Sequence, residues 1–376
     1  MVVIRKEYLG SVGNRPRKIG ISDLSSNPTG GAERVIKTGL CIKKKRESVA
    51  RGSSFVNVIL DKKKGQHLLK NTGILDKIIN AAEIKPTDTV LEIGPGTGNL
   101  TMRLLPLARR VVAFDIDPRM VAEVKKRSLG SGFSNLEARE GDALRSPLGE
   151  FDVCTANLPY QISSPFVFRL LSLGASYRCA VLMFQEEFAL RLLAEPGDKH
   201  YCRLTVNTKL LSKVTRVCKV APGSFNPPPK VNSMVVKFEP AKTKIPVDFQ
   251  EWDGLMRICF SRKKKTIRAN FNNDTVLSTL ENNYNIWSNL RGFEKTNLPF
   301  KVFVFNILEE TGLSSRRGFT VDIDDYLRLL FAFNKNGVHF NNVGINQNNA
   351  CLSENSGSRS NERNMDFMFE DVEMED

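Results

Sequence analysis

Between Lys62 and Pro240 short apolar runs alternate with amphipathic stretches, and one of them, Thr89-Val90-Leu91-Glu92-Ile93, runs straight into Gly94-Pro95-Gly96-Thr97-Gly98. Strands that alternate with helical stretches are joined by crossovers, which sets them side by side in a parallel sheet covered by helices. The pattern predicts strands over Thr89 to Ile93, Arg110 to Phe114, Phe151 to Ala156 and Cys179 to Phe184, and helices near 99 to 107, 118 to 127, 164 to 173 and 186 to 194. Thr72 is placed to cap an earlier helix whose Ile74, Leu75, Ile78 and Ile79 share one face. Val214 to Val220 and Met234 to Phe238 predict a late hairpin at one edge of the sheet. Past Pro246 the periodicity turns helical, with Trp252, Leu255, Met256 and Cys259 on one face and Tyr326, Leu327, Leu329 and Leu330 on another. The expected architecture is α/β: a Rossmann-like, mostly parallel sheet over residues 62–245 and a smaller C-terminal helical domain over 246–340.

Composition narrows the partners. The 376-residue chain is long enough for two cores, and its 55 Lys and Arg against 41 Asp and Glu leave a net charge of +14. That surplus favours a polyanion, nucleic acid first, although charge alone does not locate the contact surface. Cys41, Cys154, Cys179, Cys202, Cys218, Cys259 and Cys351 are scattered without a C-x-x-C pair, and histidine is scarce. Reduced thiols, a non-secretory compartment and no metal site are expected. No apolar run approaches the roughly 18 residues needed to span a bilayer, so a soluble protein without membrane contact is expected; a monomer is also expected. Residues 1–61 are basic and rich in Gly and Ser, which is transit-peptide-like and points to the mitochondrion. Lys43-Lys44-Lys45-Arg46 keeps two other readings open, a nuclear or nucleolar address and an arm that touches RNA. Residues 341–376 are Asn- and Ser-rich and end in Asp366, Glu370, Asp371, Glu373, Glu375 and Asp376, which predicts a disordered acidic tail.

The glycine turn after the first strand lets backbone approach a ligand where a side chain at Gly94, Gly96 or Gly98 would stand in the way. Its G-x-G-x-G spacing behind Glu92 differs from the G-x-G-x-x-G of dinucleotide binders. In such sheets ligands sit beyond the carboxyl ends of strands, so the next strand ends are informative. Asp115 is placed to accept from ribose hydroxyls, or to cap the helix beginning near Pro118. Asp142, after a strand through Leu136, is placed to accept from an adenine amino group, or to lie in a solvated loop. Asn157 closes the series. Four landmarks in this order resemble the class I S-adenosylmethionine-dependent methyltransferases, and that resemblance supplies the cofactor.

Asn157-Leu158-Pro159-Tyr160 then suits methylation of a flat amine. An exocyclic adenine amine is a poor nucleophile because its lone pair is delocalised into the ring. Acceptors on both N–H bonds, the Asn157 side-chain oxygen and the Leu158 main-chain carbonyl, bias it toward a pyramidal geometry. Pro159 stiffens the local backbone, and Tyr160 offers a face to the base, where stacking contributes about 1 to 3 kcal/mol. A glutamine carboxamide presents the same planar NH2, so a protein-glutamine methyltransferase stays open, as does a non-catalytic assembly or transcription factor on the same fold. Three features favour nucleic acid: the net charge, Phe225 on the stiff loop Phe225-Asn226-Pro227-Pro228-Pro229-Lys230-Val231, and the phosphate-seeking run Arg262-Lys263-Lys264-Lys265. Phe225 either clamps a flipped base or anchors its loop in the core, and the basic run either meets phosphates or is a solvated helix face.

From Lys62 to Phe340 the chain resembles the ribosomal RNA adenine N6,N6-dimethyltransferases of the KsgA type and their eukaryotic and organellar relatives. Gly65-Gln66-His67-Leu68-Leu69 looks like the family's N-terminal cofactor motif, Leu91 to Gly98 its glycine loop, Asn157 to Tyr160 its catalytic motif and Phe225 to Val231 its proline-rich loop. The resemblance implies S-adenosyl-L-methionine as cofactor, with His67, Leu69, Gly94, Gly96, Gly98, Asp115, Asp142 and Asn157 around it. It also implies two methyl transfers to each of two adjacent adenosines in the 3'-terminal hairpin of small-subunit ribosomal RNA, as part of ribosome biogenesis. Lys230 and the 262–265 run would contact the RNA. Position 115 is Asp where many members place Glu, and His67 stands where many place Asn.

Overall fold

The computed structural model describes residues 67–242 and 246–341. The basic extension, Gly65, Gln66 and the tail beyond 341 lie outside the described residues. The chain opens with β1 (Leu68–Leu69) and α1 (Thr72–Ala82), which buries Ile74, Leu75, Ile78 and Ala82. Its cap is Asn71, whose side chain accepts from the Ile74 amide, and not Thr72, which is the first helical residue. Next come β2 (Thr89–Ile93), α2 (Thr101–Leu104), β3 (Arg110–Asp115), α3 (Pro118–Gly130), β4 (Leu136–Glu140) and β5 (Val153–Asn157). They are followed by α4 (Ser163–Ser172), β6 (Cys179–Gln185), α5 (Glu186–Leu193), α6 (Arg203–Leu211), β7 (Ser212–Val220), β8 (Phe225–Asn226) and β9 (Ser233–Pro240).

Seven strands form one sheet in the order β4-β3-β2-β5-β6-β9-β7. The pairs from β4 to β6 are parallel, and β9 pairs antiparallel with both β6 and β7, so the expected edge hairpin exists as the β7–β9 pair. Strand order reverses between β2 and β5, because the chain winds outward through β3 and β4 before it returns. A parallel sheet is buried on both faces, and here alternate residues serve opposite cores. Leu91, Cys154 and Leu182 face one cluster, while Val90, Val153 and Val181 face the other.

Helices α7 (Phe249–Ser261), α8 (Ile267–Phe271), α9 (Asp274–Arg291), α10 (Phe300–Glu310) and α11 (Ile323–Lys335) complete the described chain. Trp252, Leu255, Met256, Cys259, Tyr326 and Leu329 are fully buried in one cluster, as their spacing predicts. That cluster also takes in Ala194, Tyr201, Val206 and Leu210, so the helical layer shares its core with α6. Polar bonds fix the seam. Trp252 Nε1 donates to Asn207 Oδ1 at 3.0 Å, Asn207 Nδ2 donates to Asp253 Oδ1 at 2.7 Å, and the Tyr201 hydroxyl donates to the Val321 carbonyl at 2.9 Å. Trp252→Ala removes the largest buried side chain here and strands an amide oxygen, so the protein is expected to lose about 3 to 5 kcal/mol of stability in denaturant unfolding; a loss below about 1 kcal/mol would show that the seam does not hold the two parts together.

Candidate active site

A cleft of about 640 Å³, counting the part open to solvent, lies at the carboxyl ends of β2, β3 and β5, where strand order reverses. Ligands in open α/β sheets bind at this place. Gly94 and Gly96 line it with positive φ of 68° and 56°. A side chain at Gly96 would collide with Leu68, which closes the cleft from the amino-terminal side. Gly98, φ 83°, has a different job: it is buried against Val124 and Thr101 and lets the loop pack on α3, outside the cleft lining. The loop is further tied down by Asn99 Nδ2, which donates to the Leu69 carbonyl at 2.9 Å, and by Arg127, which donates to the Thr97 carbonyl and to Asn99 Oδ1.

Asp115 ends β3 and lines the cleft. Its Oδ1 accepts from the Asp117 amide at 2.9 Å and its Oδ2 from the Gly96 amide at 3.4 Å, and each oxygen keeps a lone pair for a ligand. Burial holds its pKa above the usual carboxylate value. The capping of α3 falls to Asp117 instead, which accepts from the Arg119 amide at 3.0 Å. Beside Asp115 stands Ile116, 61% exposed, an apolar wall at a strand end that has no protein cover. With Met120 it is a lining residue that the sequence reading missed, although an apolar residue directly after Asp115 was the available signal.

Asn157 ends β5 at the opposite rim. Its Nδ2 donates to the His67 main-chain carbonyl at 2.9 Å. A carbonyl only accepts, so the NH2 of the amide has to face His67, and Oδ1 is left as the acceptor on the other side. His67 is held in turn, with Nδ1 2.9 Å from the Pro227 carbonyl, which requires the proton to be on Nδ1. Leu158, Pro159 and Tyr160 continue the wall. The Tyr160 ring lies 26° from parallel to the His67 ring, with centroids 6.4 Å apart.

Several expected roles need correction. Phe225 is 2% exposed and packs in the core, where β8 pairs with β1 and sets Phe225 opposite Leu69; it anchors the proline-rich loop and presents no face to a base. Leu69, 6% exposed, is in that core too, so the residues of this motif that line the cleft are His67 and Leu68. Asp142 follows β4, which pairs with β3; its Oδ1 accepts from the Leu144 amide at 2.8 Å. Lys230 is exposed on the proline-rich loop. The 262–265 run occupies the turn between α7 and α8 and not a helix face. Arg262, Lys264 and Lys265 are exposed there, while Lys263 Nζ donates to the Lys199 carbonyl at 3.0 Å. No group of His, Cys, Asp or Glu suited to a metal ion occurs among the described residues. No described helix is long and apolar enough to cross a membrane.

The sheet order and the glycine-lined, carboxylate-flanked cleft define a class I S-adenosylmethionine-dependent methyltransferase. The family model for ribosomal RNA adenine dimethylase matches residues 60–290. A probable dimethyladenosine transferase of Dictyostelium discoideum is 47% identical over 309 residues, 81% of this chain and 98% of that protein. A ribosomal RNA small subunit methyltransferase of Arabidopsis thaliana is 42% identical over 323 residues, 74% of this chain and 92% of that protein. The crystal structure of a dimethyladenosine transferase from Plasmodium falciparum, 55% identical, superposes with a TM-score of 0.70 over 73% of this chain and all of that one. The chain belongs to the ribosomal RNA adenine dimethylase family. It is an S-adenosylmethionine-dependent rRNA adenine dimethyltransferase, which settles between the adenine and glutamine amines that the motif alone left open.

One buried carboxyl group lies in β2, two residues before Gly94. Glu92, 2% exposed behind the glycine loop, has its pKa raised to about 7, mainly by burial and further by the Asp115 charge. Thr101 lowers it in part, although no hydrogen bond of normal geometry reaches Oε2. Because the folded pKa lies above the unfolded value of 4.5, stability present below pH 4.5 is lost as pH rises toward 7, a difference on the order of 3 kcal/mol. Glu92→Gln is therefore expected to gain stability relative to wild type between pH 4.5 and 7 and to hold that gain above 7, as read by melting across pH; a difference independent of pH would refute the assignment.

Proposed function

We propose that this cleft transfers two methyl groups to each of two adjacent adenosines in the 3'-terminal hairpin of small-subunit ribosomal RNA, during ribosome biogenesis, and that the protein acts as a monomer on a pre-ribosomal small subunit. The orientation of Asn157 carries the reading: with its NH2 committed to His67, its oxygen is a fixed acceptor for one N–H of the target amine. The Leu158 carbonyl takes the other N–H, and Tyr160 supports the ring. Gly94, Gly96, Asp115, Ile116 and Leu68 would hold the cofactor, with Asp115 as an acceptor for ribose hydroxyls and Ile116 as an apolar surface for the adenosine. Bound S-adenosylmethionine supplies a methyl group on a sulfonium and with it the driving force, so the protein's share is orientation, which can contribute up to about 7 to 11 kcal/mol. Small-subunit RNA is favoured by the name of the Arabidopsis relative and by the chain's net charge of +14. Lys230 and the exposed cations of the 262–265 turn are the proposed phosphate contacts.

Asn157→Ala removes the acceptor and leaves the His67 carbonyl unpaired, so dimethyladenosine formed on immature small subunits is expected to fall by roughly 100- to 1000-fold, read by mass spectrometry of RNA digests. Full modification by this variant would favour a non-catalytic factor, and label entering protein alone would end the RNA assignment. Residues 1–61 are the proposed address, mitochondrial by composition; a fusion carrying them is expected to be imaged in mitochondria, and nucleolar accumulation would assign the address to Lys43 to Arg46 instead.

A further inference from the structure

The Tyr160 hydroxyl shares a 2.9 Å hydrogen bond with Ser233 Oγ. Ser233 has no exposed surface and opens β9 in register with Gln185 of β6 on one side and Val220 of β7 on the other. The Tyr160 ring is thus fastened at its far end to the interior of the sheet, while the loop that carries it supplies only its near end. Burial raises the pKa of Tyr160, so the hydroxyl stays protonated and the bond persists across the working pH range.

Both methyl transfers are the same displacement. The N6 lone pair takes the methyl carbon, the carbon–sulfur bonding pair remains on sulfur as a neutral thioether, and the amine releases one proton to solvent. The two substrates differ in what they offer the cleft. Adenosine brings two N–H groups and can satisfy both Asn157 Oδ1 and a main-chain carbonyl, whereas N6-methyladenosine brings one N–H and satisfies only one of them. The orientation lost with that hydrogen bond has to come from the ring face, so the second transfer leans harder on a fixed Tyr160 than the first.

We propose that Ser233 is a positioning residue for dimethylation, acting through Tyr160 to hold the methylated base in line for its second methyl group. The inference rests on the reading that Tyr160 supports the target adenine. The test uses the full-length protein, immature small subunits and S-adenosylmethionine, with both methylated nucleosides followed in time and cofactor affinity measured separately. Ser233→Ala and Tyr160→Phe are each expected to raise the ratio of N6-methyladenosine to N6,N6-dimethyladenosine roughly fivefold to tenfold, the effect of losing one net hydrogen bond. The double variant is expected to match the single variants, because all three remove the same bond. Cofactor affinity stays at the wild-type value. A wild-type product ratio in both single variants, whatever their overall rate, would overturn the proposal, as would a double variant whose effect is the product of the two. Should Ser233→Ala not fold, Tyr160→Phe, which keeps the ring and alters no buried strand, decides alone. Failure of the wild-type protein to methylate small-subunit RNA at all would instead overturn the substrate assignment.

Discussion

The 2.9 Å hydrogen bond from Asn157 Nδ2 to the His67 carbonyl is the contact around which the active site is arranged. It turns an amide with two chemically different ends into an acceptor of fixed direction, and it does so with a backbone group that cannot rotate away. Its geometry depends on elements far apart in sequence. The short pair of β1 with β8 sets the His67 backbone, and Phe225 and Leu69, both buried at that pair, hold it against the sheet. The Pro227 carbonyl then fixes the His67 ring. The proline-rich loop therefore braces the amino-terminal motif, and its aromatic residue does so from inside the core.

Across the cleft the same economy applies to charge. Glu92 and Asp115 are carboxyl groups on adjacent strands, both kept partly or wholly from water, and the Asp115 charge adds to the cost of ionising Glu92. A cationic cofactor held at the glycine loop would favour the ionised form of both carboxyl groups. The wall of Ile116 lacks cover for a related reason, since an apolar strand end at 61% exposure is unfavourable until something flat lies on it. The cleft is thus shaped by groups that are each less than satisfied alone.

Much of this was legible in the residues. Alternating apolar runs gave the parallel sheet because period-two and helical spacings are local properties, and the glycine turn marked the switch point for the same reason. Where the reading fell short, the cause was local in one case and tertiary in the others. The helix expected over 99 to 107 stops at Leu104, two residues before Pro106, which lacks the N–H that would continue it. Helix α6 went unseen because Thr205, Val206, Asn207, Thr208 and Leu210 are all buried, which erases the amphipathic pattern and leaves β-branched residues that read as strand. Phe225, Leu69 and Ser233 could not be placed because their direction is set by strand partners up to 156 residues away in register, and the sequence carries no record of that pairing.

A crystal structure with sinefungin tests the central geometry most directly, because that ligand carries an amine where the sulfonium methyl would stand. The account predicts its adenosine over Ile116, its ribose on Asp115 and its amino-acid end beside an Asn157 whose NH2 still faces the His67 carbonyl. A ligand whose amino-acid end lies away from Asn157, or an Asn157 turned so that its oxygen points toward His67, would contradict it.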